Sequence, residues 1–102
     1  MNDPRIQKSL LVRLVAKPGK EAELAAFLTG ALPLAREEKA TTVWFAIRIS
    51  DREFGIFDAF PDDAGRDAHI HGRIADLLRA KAPDLLASAP TIEKVDVLAS
   101  KA

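Results

Sequence analysis

The stretch "TTVWFAIRISDREFGIFDAF", residues 41–60, decides how this chain folds. Val43, Phe45, Ile47 and Ile49 alternate with Trp44, Ala46 and Arg48, the two-residue period of a strand rich in β-branched and aromatic side chains. Asp51, Arg52 and Glu53 then close a tight turn into 54–60, where Phe54, Ile56, Asp58 and Phe60 alternate with Gly55, Phe57 and Ala59. Two strands joined by so short a turn pair antiparallel.

On either side of this hairpin lies a helical stretch and, beyond it, another strand. Toward the N-terminus, "SLLVRLVA", 9–16, reads as a strand, with Pro18 and Gly19 as a turn. A helix follows, in which Leu24, Phe27, Leu28, Ala31, Leu34 and Ala35 share one face. Pro33 cannot donate to the carbonyl of Thr29, so a kink or an early end is expected there. Toward the C-terminus, Pro61, Asp62 and Asp63 open a second helical region. Its core face carries Ile70, Ile74, Leu77, Leu78 and Ala82, with Gly72 as a break between two short helices. Pro83 and Pro90 bound "DLLAS", read as a short helical turn leaving the main helix, and 91–99 alternates as a fourth strand nearer a sheet edge. The first seven and last few residues read as loose tails.

The order β-α-β-β-α-β interleaves two right-handed crossovers. It predicts an α+β ferredoxin-like plait, a four-stranded antiparallel sheet with its helices on one face. The first two strands are apolar on both faces, so the uncovered face calls for burial against a second sheet. A homodimer through sheet faces is therefore expected, with Trp44, Ala46 and Arg48 read as facing the partner. The alternative makes them a ligand wall.

At 102 residues the chain suits a single domain, 1–102, with a core at about 8–100. Fifteen basic and fifteen acidic residues cancel without forming blocks, which disfavours electrostatically driven binding to nucleic acid or membrane. The absence of Cys removes thiolate chemistry and suits a reducing compartment. With no apolar leader at the start and no long apolar run, a cytoplasmic location is expected.

"LVRLVAKPGKEAELAAFL", "WFAIRI", "FGIFDAFPDDAGRDAH" and "PTIEKVDVLA" together resemble the antibiotic biosynthesis monooxygenase-like domains, in the branch named for quinol monooxygenases. The resemblance implies a dimeric α+β barrel with a cleft between sheet and helices. It also implies oxidation of a small aromatic, quinol or phenolic compound by O2, with no metal, flavin or other cofactor. Phe60 through Pro61, Asp62 and Asp63 to His69 matches the family's strand end, helix start and following His, and Trp44 matches an aromatic position. Phe60 stands where a Trp is frequent. The chain has no Tyr, so a tyrosine relay is absent, and its single Asn and single Trp lack the set used by haem-degrading relatives.

Both histidines lie in "AHIHGR", 68–73. Positions i and i+2 of a helix face about 200° apart, so His69 and His71 do not share a metal, and no metal-ligand spacing surrounds them. Either is a candidate base or hydrogen-bond donor to a phenolic oxygen. Resemblance favours His69. Helical spacing favours His71, which aligns with Ala64, Ala68, Ala75 and Leu78, while His69 aligns with Asp62, Arg66, Arg73 and Asp76 unless the break at Gly72 turns it into the cleft. Trp44, Arg48, Asp58 and Phe60 are candidate substrate-binding residues. Asp58 in an apolar strand needs a partner, expected to be Arg13 or Arg48, and is otherwise a general base of raised pKa. A non-catalytic small-ligand-binding or stress-related dimer is the alternative function, and an isomerase that leaves O2 unconsumed is a third.

Overall fold

The computed structural model describes residues 3–102. In chain order the elements are β1 (Lys8–Val15), α1 (Glu21–Gly30), α2 (Leu32–Glu37), β2 (Val43–Arg48), β3 (Glu53–Phe60), α3 (Asp63–Ile70), α4 (Arg73–Leu85) and β4 (Thr91–Asp96). The strands form one sheet in the order β2-β3-β1-β4, antiparallel throughout. β1 and β3, rich in apolar residues, take the centre, and β2 and β4 the edges. This is the ferredoxin-like plait that the hairpin implied.

Register sets the two faces. Leu10, Val12 and Leu14 stand opposite Asp58, Ile56 and Phe54, which in turn stand opposite Trp44, Ala46 and Arg48. All of these share the face beneath the helices, where Val12, Leu14, Phe54 and Ile56 pack with Leu24 and Leu28 of α1 and Leu78 and Leu85 of α4. Trp44 also packs on Ala31, Ala35 and Ile74. The expectation that Trp44, Ala46 and Arg48 face a partner is thus corrected. Alternation says which residues share a face; only the crossovers say which face the helices cover.

The uncovered face carries Leu11, Val43, Phe45, Ile47 and Phe57, with Phe45 53% and Ile47 37% exposed. Gly55 lies among them because a Cβ there would come within 2.7 Å of the Val12 carbonyl oxygen.

Pro33 does not kink a long helix. α1 ends at Gly30, and Pro33 sits in the first turn of α2, where a missing N–H leaves no bond unmade. Nor does Pro83 end α4, which continues to Leu85. Its end is held by burial of Leu85 and Leu86, by Lys17 N–H donating to the Leu85 carbonyl at 2.8 Å, and by a bridge between Ala16 and Leu86. The expected separate turn at 84–88 is therefore absent. Of the seven N-terminal residues read as a loose tail, 1 and 2 lie outside the described residues and the rest are tied down: Ile6 is buried, Thr42 Oγ1 donates to the Arg5 carbonyl, and Gln7 N–H donates to that of Phe60. Among the described residues no helix is long and apolar enough to cross a membrane.

Candidate proton-transfer site

The break at Gly72 builds the site. Asp62 caps α3 by accepting the Gly65 N–H at 2.8 Å, and the helix stops at Ile70, with His71 as its C-cap and Gly72 as the N-cap of α4. A second clamp fixes α3 against the sheet. Buried Arg66 donates through Nη1 to the carbonyls of Ser9 and Val95, both at 3.2 Å, and through Nη2 to Asp63. In this setting His69, in the last turn of α3, turns inward and is 8% exposed, its ring 5.3 Å from that of Phe60.

Both ring nitrogens of His69 face carboxylates. Nδ1 lies 2.5 Å from Glu38 Oε1, and Nε2 lies 2.9 Å from Asp58 Oδ2. The second contact is an ion pair rather than an aligned hydrogen bond. Glu38 is the C-cap of α2 and also accepts from Thr41 Oγ1 at 2.7 Å. Three elements distant in sequence thus meet at one imidazole.

Burial pushes the Asp58 carboxyl above its ordinary range, with the nearby imidazole opposing. For His69 burial alone would lower the pKa, but Asp58 and then Glu38 outweigh it, and the imidazole ends above its ordinary value. Both shifts favour the proton-bearing forms, so this buried, poorly solvated pair is a place where a proton is held tightly.

Outside His69 lies a cleft of about 430 Å³ between the segment after α2 and the α3–α4 junction. Leu34, Ala40, Gly65, Ala68 and Gly72 give it apolar, small-residue walls, Glu38 and His69 a polar patch, and Thr41, Lys39 and Arg73 a polar rim. Its size suits a small ligand. On the other side of His69, between sheet and helices, is a much smaller apolar cavity.

The remaining candidates scatter. Asp58 is fully buried behind His69, and its partner is that histidine; Arg13 lies on the opposite sheet face with Glu53 and Glu93, because it alternates with Leu10 and Val12. Phe60 is buried against the imidazole and Trp44 stands opposite Asp58 in the core, its Nε1 without an acceptor; neither lines the cleft. Arg48 lies over the Phe54 ring at 4.9 Å and donates to the carbonyls of Ser50 and Asp51. That is four residues along β3 from Asp58, about 13 Å away. His71 is exposed, its Nδ1 2.8 Å from the Asp67 carbonyl of its own helix. It does not approach the sheet, because the helix whose spacing would carry it there has ended. Glu38 carried no sequence signal within the polar run "REEKATT"; only the need of a buried Asp and His for further partners could have prompted a search for it.

Neither a protein-family model nor a curated protein matches the chain. Among solved structures, the NE2512 protein of unknown function from Nitrosomonas europaea is 54% identical, with a TM-score of 0.95 over 98% of this chain and 97% of that one. The two belong to one family. Its fold is that of the antibiotic biosynthesis monooxygenase-like proteins. A Nitrosomonas europaea protein provisionally named an antibiotic biosynthesis monooxygenase superposes with a TM-score of 0.79 at 13% identity, covering 89% of this chain and 98% of its own. A Caulobacter crescentus protein with the same provisional name gives 0.78 at 16%, covering 92% of each chain. At such identities the shared property is the fold.

Proposed function

We propose that this member of the NE2512 family is an oxidoreductase that uses O2 to oxidise a small phenol or hydroquinone in the cleft outside His69. The observation that carries the reading is the Glu38–His69–Asp58 cluster, a buried imidazole between two carboxylates on the wall of a small-molecule cleft. The provisional names borne by two other proteins of this fold point the same way.

In this reading the aromatic ring lies on Ala40, Ala68 and Gly72, with its hydroxyl at Glu38. Glu38 takes the phenolic proton, and the adjacent imidazolium stabilises the phenolate that forms. The phenolate gives one electron to O2, and the ring radical and superoxide then combine at a ring carbon. Loss of water from the hydroperoxide leaves a carbonyl, so that a hydroquinone and O2 become a hydroxyquinone and one water. No resident cofactor is invoked; the substrate itself reduces O2. The apolar uncovered face of the sheet supports a homodimer through sheet faces as the working form.

Oxygen uptake with a panel of phenols and hydroquinones tests the proposal. Glu38→Gln and His69→Gln are expected to lower kcat by roughly 10²- to 10⁴-fold. Ligand binding with no O2 consumption across the panel would favour a binding protein, and substrate turnover without O2 uptake a proton-transfer enzyme.

A further inference from the structure

Behind His69, on the side away from the cleft, the sheet and the helices α3 and α4 leave a cavity of about 40 Å³. We infer that it is a binding site for one small apolar molecule, and that its guest is dioxygen. The identity of the guest rests on the oxidase reading above; the existence of the site does not.

Size comes first. One water needs roughly 10–15 Å³ of such space, while an engineered apolar cavity that accepts benzene measures about 150 Å³. The space behind His69 therefore holds a diatomic molecule and excludes an aromatic ring, which leaves the substrate to the larger cleft.

Polarity comes second. Leu10, Val12, Ile56, Ile74 and Leu78 supply most of the wall, and the polar side chains on it are His69 and Arg79. A buried water needs two to four polar partners. Both ring nitrogens of His69 are already engaged, and Arg79 directs its guanidinium to Asp76 and to the Ile70 carbonyl, each at 3.2 Å. Asp58, whose Oδ1 lacks a partner, is not among the lining residues. Such a space offers a water too few partners to hold it, whereas apolar cavities take up apolar gases.

Position comes third. Ile92, half exposed on the edge strand β4, and Arg79, exposed on α4, give the cavity an outer edge toward solvent. Its inner end is the imidazole, the cationic group beside which negative charge on reduced oxygen is best tolerated. A gas enters from the β4 side and, because His69 lines both the cavity and the cleft, reaches the bound phenolate past the edge of the imidazole.

Xenon is the probe. In methyl-resolved NMR of the full chain under xenon pressure, the signals of Ile56, Ile74 and Leu78 are expected to shift and saturate. Ala75→Leu, which fills the cavity from α4, and Ile92→Phe, which narrows its edge, are expected to reduce those shifts. Ile92 is 52% exposed, so its replacement leaves the fold intact if the Ala75 variant misfolds. Absence of saturable shifts in the wild type, or shifts that persist in a folded filled variant, overturns the site. With a turned-over phenol, a variant that loses xenon is expected to need roughly tenfold more O2 for half-maximal rate at an unchanged phenol KM, a change of about 1.4 kcal/mol in O2 affinity. If xenon is displaced and the O2 dependence stays put, dioxygen is not the guest. If the wild type oxidises no phenol, the oxidase reading fails while the xenon result still decides the cavity.

Discussion

Replacing His69 with Gln makes the sharpest demand on the description of the site. In the native protein the imidazole pKa is raised above its ordinary 6.5, chiefly by Asp58 and Glu38 against the pull of burial. The folded state therefore holds a proton that the unfolded chain releases. Its stabilisation is complete below about pH 6.5 and is lost as pH rises through the folded value. Asp58, also raised by burial, acts in the same direction at lower pH, because it too holds its proton more tightly when folded. Between the unfolded and folded values of His69, stability falls by up to about 1.4 kcal/mol per pH unit, the most one differential proton allows. The charged groups in contact with His69 are Asp58 from β3 and Glu38 from the end of α2.

In His69→Gln this alkaline slope disappears. At pH 7 the variant leaves the fully buried Asp58 without its cation, a loss of about 3–5 kcal/mol for a broken buried pair. The loss shrinks toward acid pH as Asp58 takes up a proton. Urea unfolding from pH 5 to 9, on both proteins, reads these quantities. A wild-type stability that is flat above pH 6.5, or a variant as stable as the wild type at pH 7, would refute the clamped, protonated imidazole.

Three further outcomes are expected. Arg66→Met keeps the aliphatic stem but removes the bonds to Ser9 and Val95, and should cost about 2–3 kcal/mol in urea unfolding, the value of charged hydrogen bonds between α3 and the sheet. Gly55→Ala should destabilise by about 1–3 kcal/mol despite its single added carbon, because that carbon meets the Val12 carbonyl at 2.7 Å; a neutral effect would mean that the sheet gives way more easily than its register suggests. Phe45→Lys places a charge at the centre of the uncovered apolar face, and sedimentation should show a dimer in the wild type and a monomer in the variant, with the variant's secondary structure unchanged by circular dichroism.

The sequence by itself determined the elements, their order and hence the plait. Two-residue alternation in 41–60, three-and-four spacing in the helices and the Pro and Gly positions are local signals, and short connections leave few ways to assemble them. Gly72 as a break was legible for the same reason. Only the tertiary structure decided which sheet face the helices cover, and so moved Trp44 from a supposed interface into the core and left Arg48 at the far end of the sheet. It also gave His69 its partners. Asp58, Glu38 and His69 lie on three elements up to 31 residues apart, and no periodicity reports a meeting of that kind. Helical spacing assigned His71 to the sheet by assuming a helix that continues; the end of α3 at Ile70 turned His71 out to solvent and His69 inward, between two carboxylates.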